Sequence, residues 1–107
     1  MKPGDIWIVR IPHLSTHEQS GVRPTVVIAR VAKTVVTIIP LTANKAALRF
    51  PYTCRVEPSK TNGLRNISIA LVFQMRTIDV RFFDHKAGVL DKITLTELRT
   101  QAHRLIG

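Results

Sequence analysis

The sequence predicts a small, mainly β fold with added α (α+β), a barrel-like sheet completed by one C-terminal helix, and three observations lead there. Short apolar runs rich in Val, Ile and Thr alternate with turn formers, the pattern of a mostly antiparallel sheet. Several runs are apolar at consecutive positions. Such strands need cover on both faces, which a sheet closed on itself and capped by a helix supplies. Only the C-terminal segment carries a helical stripe.

The strands are expected at residues 6–11, 25–30, 34–41, 52–56 and 67–73. The second and third are separated only by Val31, Ala32 and Lys33, so a hairpin is the economical connection. The fifth follows the turn signal Thr61, Asn62, Gly63. In the final segment Thr94 and Glu97 stand at capping-box spacing, and Leu95, Leu98, Ala102 and Leu105 share one face. Two polar links remain. Residues 12–23 contain Gly21 and end before Pro24, and residues 42–50 carry Asn44, Lys45 and Arg49. Both are candidate site walls, because function concentrates in loops held by a rigid scaffold. The 107 residues, with no repeat or low-complexity stretch, are expected to form one domain over 1–107.

Hydrophobic residues at 45% and charged residues at 21% exclude a disordered chain. Sixteen Lys and Arg against seven Asp and Glu give a formal charge of +9, which points to a polyanionic partner. From Ile6 to Ile78 the only acids are Glu18 and Glu57, against ten Lys or Arg. No apolar run approaches the roughly 20 residues that span a bilayer, and the opening MKPGDIW lacks a signal-peptide core. The expectation is a cytoplasmic protein without membrane contact.

Cys54 is the only cysteine, which rules out an intrachain disulfide and a thiolate zinc site of the usual kind. Its neighbours Tyr52, Thr53, Arg55 and Val56 read as strand, where a buried structural thiol is commoner than a nucleophile. The four His are scattered, with no HExxH or paired spacing. Neither metal nor cofactor is expected.

The segment HEQSGVRPTVVIA, from His17 to Ala29, resembles the "E, Q, G, x, R, P then apolar strand" signature of the MazF/PemK toxin family. Further marks follow in the family's order: PGDIW from Pro3, PLTANK from Pro40, FP at Phe50 and Pro51, and NGL from Asn62. Ser68, QMRTIDVRF from Gln74 to Phe82, and GVL before the last helix complete the series. Two positions depart from it: His17 stands where a small residue is common, and Phe73 where a polar one is usual.

The resemblance implies an SH3-like, CcdB-like barrel with a C-terminal helix. It also implies an endoribonuclease in which the RNA 2′-hydroxyl attacks its own phosphorus, leaving a 2′,3′-cyclic phosphate and a 5′-hydroxyl. That reaction needs a proton acceptor, a group for the leaving oxygen and positive charge at the phosphorane, but neither protein nucleophile nor metal. By the resemblance Arg23 is the main catalytic residue and Thr42 its partner at the phosphate. Glu18 either accepts a proton or holds Arg23. His17, Gln19, Lys45, Gln74, Arg76 and Arg81 are candidate RNA contacts. The implied partners are single-stranded RNA, an acidic antitoxin covering Arg23, Arg76 and Arg81, and a second copy in a homodimer.

Taken without the family, an Arg before a Pro reads as a solvated loop charge, and Thr42 as a turn or capping hydroxyl. Ser68 and Gln74 read as scaffold hydrogen-bonders. The competing functions are a non-catalytic, gyrase-poisoning toxin of the CcdB type and an RNA-binding barrel without activity. The latter is weakened by the 6% aromatic content, whose placement inside apolar runs suggests core packing rather than a stacking platform.

Overall fold

The computed structural model describes residues 1–10 and 21–107. Its strands are β1 (Asp5–Arg10), β2 (Val22–Ala32), β3 (Val35–Thr42), β4 (Thr53–Val56), β5 (Ser68–Leu71), β6 (Arg76–Asp79) and β7 (Phe83–Val89), followed by the helix α1 (Lys92–Ile106). Single 3-10 segments lie at Lys45–Arg49, Val72–Gln74 and Val80–Phe82.

The seven strands form one antiparallel sheet in the order β4-β5-β3-β2-β1-β7, with β6 also on β3. Its end strands, β4 and β7, form no ladder with each other among the described residues, so the barrel-like sheet stays open along one seam. β5 and β6 follow the same edge of β3. Leu41 faces Ala70 and Ile38 faces Arg76, three residues back on one strand against six forward on the other. The three extra residues are the 3-10 turn Val72–Gln74. What the sequence suggested as one strand over 67–73 is therefore a strand that leaves the ladder for one turn and rejoins it.

The consecutive apolar runs do serve two faces. Val26, Ile39, Leu41 and Ile6 belong to a first core, closed by Leu98 and Ala102 of α1. Their neighbours Val27, Val36, Ile38 and Val9 belong to a second core with Ile78, against which Trp7, Phe82 and Phe83 pack. Adjacent strand residues point to opposite sides, so Val26 and Val27 each fill a different core.

Three expectations need correcting. β6 and β7 were not anticipated, because β7 (FDHKAGV) is an end strand whose Asp84, His85 and Lys86 face water and give no apolar alternation. The helix is capped by Asp91 rather than Thr94: Thr94 donates its backbone N–H to Asp91 Oδ2 at 2.9 Å and its hydroxyl to Oδ1 at 2.7 Å. The signal was obscured by Ile93, which is 85% exposed and off the apolar stripe. Finally, Phe50 and Phe73 are exposed rather than packed in the core.

The turn read from Thr61, Asn62 and Gly63 is tightly built. Buried Asn62 accepts the N–H groups of Ser59 and Leu64 on Oδ1 and donates to the Glu57 carbonyl. Gly63 takes φ +72°, and a Cβ there would lie 2.1 Å from the Ala87 carbonyl oxygen, so the turn can press against β7 only without a side chain.

Replacing Asp91 by Ala should cost about 1 kcal/mol of stability, seen as an earlier denaturation midpoint. The Thr94 hydrogen bonds hold the Asp91 carboxyl below its usual range. The stabilisation is then complete above the unfolded carboxylate value, about 3.9, and is lost as pH falls through the lower folded one. The difference between native and variant proteins should accordingly shrink in acid.

Candidate functional site

The site lies where the β2–β3 ladder ends, at two prolines. In an antiparallel pair, opposed residues alternately do and do not exchange hydrogen bonds. The β2–β3 ladder runs down to Thr25 opposite Pro40. Continued one step, the same register sets Pro24 against Leu41; Pro40 has no N–H to exchange with Thr25, so the next pair is the hydrogen-bonded kind, and there Pro24 lacks the donor. The ladder stops there. One further step sets Arg23 against Thr42, and a cavity of about 270 Å³ opens, lined by Val22, Arg23, Pro24, Leu41, Thr42, Ala43 and Asn44.

Arg23 is held from the other side as well, since β1 pairs Val9 with it. Buried Thr25, two residues on and on the same face, donates its hydroxyl to the Trp7 carbonyl at 3.2 Å and fixes this end of β2 to β1. Partial burial pushes the Arg23 guanidinium down from its ordinary value. An arginine nonetheless keeps its proton at neutral pH. It stands there as a partly dehydrated cation, and charge interactions strengthen as water is removed.

Thr42 ends β3, and its Oγ1 accepts the Asn44 N–H at 3.2 Å, which leaves the hydroxyl hydrogen to donate to an oxygen in the cavity. Asn44 in turn accepts the Ala46 N–H and starts the 3-10 segment Lys45–Arg49. Among the described residues no acidic side chain lines the cavity. A partly dehydrated fork-shaped cation and a hydroxyl donor together suit a tetrahedral oxyanion such as a phosphodiester. A larger hollow of about 470 Å³ beside α1 lacks this character, since Asp91 lies among its lining residues.

A sequence model described as "PemK-like, MazF-like toxin of type II toxin-antitoxin system" matches residues 2–106. The chain belongs to this toxin family. None of the curated proteins matches it. Among solved structures, MazF from Deinococcus radiodurans is similar at 20% identity, covering 100% of this chain and 96% of that one with a TM-score of 0.78. The Mycobacterium tuberculosis toxin MazF-mt6 is 20% identical over 98% of this chain and 96% of its own, with a TM-score of 0.73. An endoribonuclease in complex with its cognate antitoxin, from mycobacterial species, is 14% identical over 100% of this chain and 95% of its own, with a TM-score of 0.77. At these identities the likeness carries the fold.

Of the residues that the family resemblance singled out, Arg23 and Thr42 come together. Lys45 is the exposed residue just beyond the cavity-lining Asn44. Arg76 lies on β6 opposite Ile38, four residues up β3 from Thr42, which is roughly 13 Å along an extended strand. Gln74, at the end of a 3-10 turn, is exposed. Arg81 follows β6 at the far end of β3, with its guanidinium 5.1 Å from the centre of the Phe82 ring. Ser68, buried, donates to the Asn66 carbonyl and belongs to the scaffold. His17, Glu18 and Gln19 lie outside the described residues.

Pro24 and Asn44 are the site residues that sequence reasoning passed over. The available signals were prolines inside two apolar runs and an Asn ahead of a helical turn. Among the described residues no three His, Cys, Asp or Glu side chains are grouped to hold a metal ion.

Cys54 is half-buried, and burial first, then Glu97 and Asp91, push its thiol up. It stays protonated at neutral pH, unlike an activated nucleophile. The native thiol should therefore react with iodoacetamide more slowly than a free one. Reaction as fast as that of a free thiol would mark Cys54 as activated instead.

Proposed function

We propose that this toxin is a metal-independent endoribonuclease that cuts single-stranded RNA to 2′,3′-cyclic phosphate and 5′-hydroxyl ends. The observation that carries the reading is the partly dehydrated Arg23 set across from Thr42 in one cavity where the β2–β3 ladder ends. In the proposed step the 2′-oxygen bonds to phosphorus, the P–O5′ bond breaks, and the electron pair leaves on the 5′-oxygen, which takes a proton. Negative charge grows on the non-bridging oxygens meanwhile. Arg23 answers that charge from a fixed position, and such preorganised charge stabilises a transition state more than a ground state. Thr42 donates to one of the same oxygens and fixes the phosphate's orientation. Glu18 either takes the 2′-proton or holds Arg23.

Along the flanking nucleotides, His17, Gln19, Lys45, Gln74, Arg76 and Arg81 are the proposed contacts, with charge from Lys45, Arg76 and Arg81 on the backbone. Arg76 and Arg81 lie at a distance from the cavity along β3, which suits phosphates upstream or downstream of the scissile one. An acidic antitoxin segment that covers Arg23, Arg76 and Arg81 would neutralise the toxin by competing with RNA. The mycobacterial endoribonuclease solved with its cognate antitoxin offers a precedent for such a complex. A homodimer and a cytoplasmic setting complete the proposal. No helix of the described residues is long and apolar enough to cross a membrane.

The test is incubation with single-stranded RNA in excess EDTA, which should yield 5′-hydroxyl fragments. A gyrase-directed toxin or an inert RNA binder would leave the RNA intact. Arg23→Ala should lower the rate on the order of a hundredfold or more while remaining folded. Arg23→Lys should recover little, because a point charge replaces the planar fork. Thr42→Val keeps the shape and removes only the hydroxyl, so its smaller loss measures that contact. For Glu18→Gln, loss of the acidic limb of the pH–rate profile marks a base, and a modest uniform drop marks an orienting role. Full activity in folded Arg23→Ala, or 5′-phosphate products, would show the chemistry to be misassigned.

A further inference from the structure

Beyond the cavity, the 3-10 segment Lys45–Arg49 leads from the cavity-lining Asn44 to Phe50. At roughly 2 Å of rise per residue it sets Phe50 on the order of 10 Å away. There Phe50 and Phe73 meet with ring centroids 5.5 Å apart, and the Arg49 guanidinium stands 4.6 Å from the centre of the Phe50 ring. Both rings are exposed, at 42% and 37%. The large apolar side chains of the core are at most 7% exposed. The pair is therefore not core that happens to reach the surface.

Its placement is built into the backbone. Tyr52 adopts a left-handed φ of +58°, uncommon for a side chain of its size, and its carbonyl accepts the Phe73 N–H at 3.3 Å. That contact ties the segment after Phe50 to the 3-10 turn that carries Phe73. This is the same turn by which the chain leaves the β3 edge and rejoins it.

We propose that Phe50 and Phe73, with Arg49, form a stacking platform for an unpaired base of the RNA whose phosphate occupies the Arg23–Thr42 cavity. The inference rests on the cleavage-site reading above for the position of the neighbouring phosphate. Charge complementarity favours a polyanion, because the chain carries a formal charge of +9 and the platform carries its own cation, Arg49. A π-face beside a guanidinium is what an unstacked base takes, and single-stranded RNA is recognised by such stacking far more than duplex is. Phe73, which departs from the polar residue usual at this point of the family pattern, gives this toxin a second ring there.

The experiment uses the full-length protein and a mixed-sequence single-stranded oligonucleotide bearing 2′-fluoro groups and one 2-aminopurine, which cannot be cleaved by 2′-hydroxyl attack. Wild type should bind it and quench the 2-aminopurine fluorescence. Phe50→Leu with Phe73→Leu should weaken binding about tenfold and remove the quench, and Phe50→Trp should keep both. Unchanged affinity and quench in the Leu pair would overturn the proposal. Two other results would also overturn it: unchanged oligonucleotide binding with an altered sedimentation coefficient, which assigns the patch to a second copy, or with lost binding of an acidic Leu-rich peptide, which assigns it to a protein. Failure of the cleavage reading looks different, since natural RNA would then survive intact while the Leu pair still lost oligonucleotide binding.

Discussion

The structure depends on β3 being enclosed from four directions. Its alternate side chains enter the two cores, with Ile39 and Leu41 on one side and Val36 and Ile38 on the other. One edge pairs with β2, and the other is shared by β6 and β5. Burying an aliphatic side chain of this size is worth roughly 1.5–3 kcal/mol relative to leaving it exposed, so four of them on one short strand fix its register strongly. A slip by a single residue would exchange the two cores' side chains and misplace all four. The ends of β3 inherit that rigidity, and Thr42 is the last residue of the strand.

Rigidity alone would give a continuous sheet with no site. The β2–β3 ladder ends at Thr25 and Pro40, next to Pro24, which has no N–H to give it, and beyond that end Arg23 and Thr42 line a common space. A missing N–H weakens a strand pair, but here it falls next to Thr25, which is wholly buried and hydrogen-bonded to Trp7. The neighbouring strand thus holds Arg23 in place from the β1 side while the β3 side opens. A side chain meant to stabilise developing charge has to be positioned before the charge appears, and this arrangement meets that condition.

Much of this was legible in the sequence, for reasons that can be named. The consecutive apolar runs at β2 and β3 revealed strands buried on both faces, because a strand with one wet face alternates. The hairpin between them and the Asn62–Gly63 turn were legible because each rests on local residue chemistry. What stayed hidden depends on tertiary context. β7 carries polar residues because it ends the sheet, and β6 is only four residues long. The one-turn excursion at Val72–Gln74 looks like strand because Val72 is buried where it turns. Arg23 and Thr42 were reached through the family resemblance, since by themselves they read as a loop charge and a turn hydroxyl. Their meeting across the sheet follows from a register that no local pattern encodes. The exposure of Phe50 and Phe73 was missed for a similar reason: an aromatic within an apolar stretch is usually core, and only the turns around it decide otherwise.

The charge distribution links the site to its control under the proposed reading. A partly buried guanidinium is costly to keep charged, and burial accordingly pulls Arg23 down from its ordinary value. Any polyanion that reaches the cavity relieves part of that penalty, whether it is an RNA phosphate or a carboxylate of an acidic protein. The feature that makes Arg23 effective against a phosphorane therefore also makes it the natural point of inhibition. A carboxylate can occupy the place of the phosphate without offering a bond to cleave. With a formal charge of +9 drawing both kinds of partner toward the same surface, long-range steering cannot choose between them. The choice falls to short-range contacts that only one can make, and an exposed aromatic pair beside the cavity is a contact that favours a base.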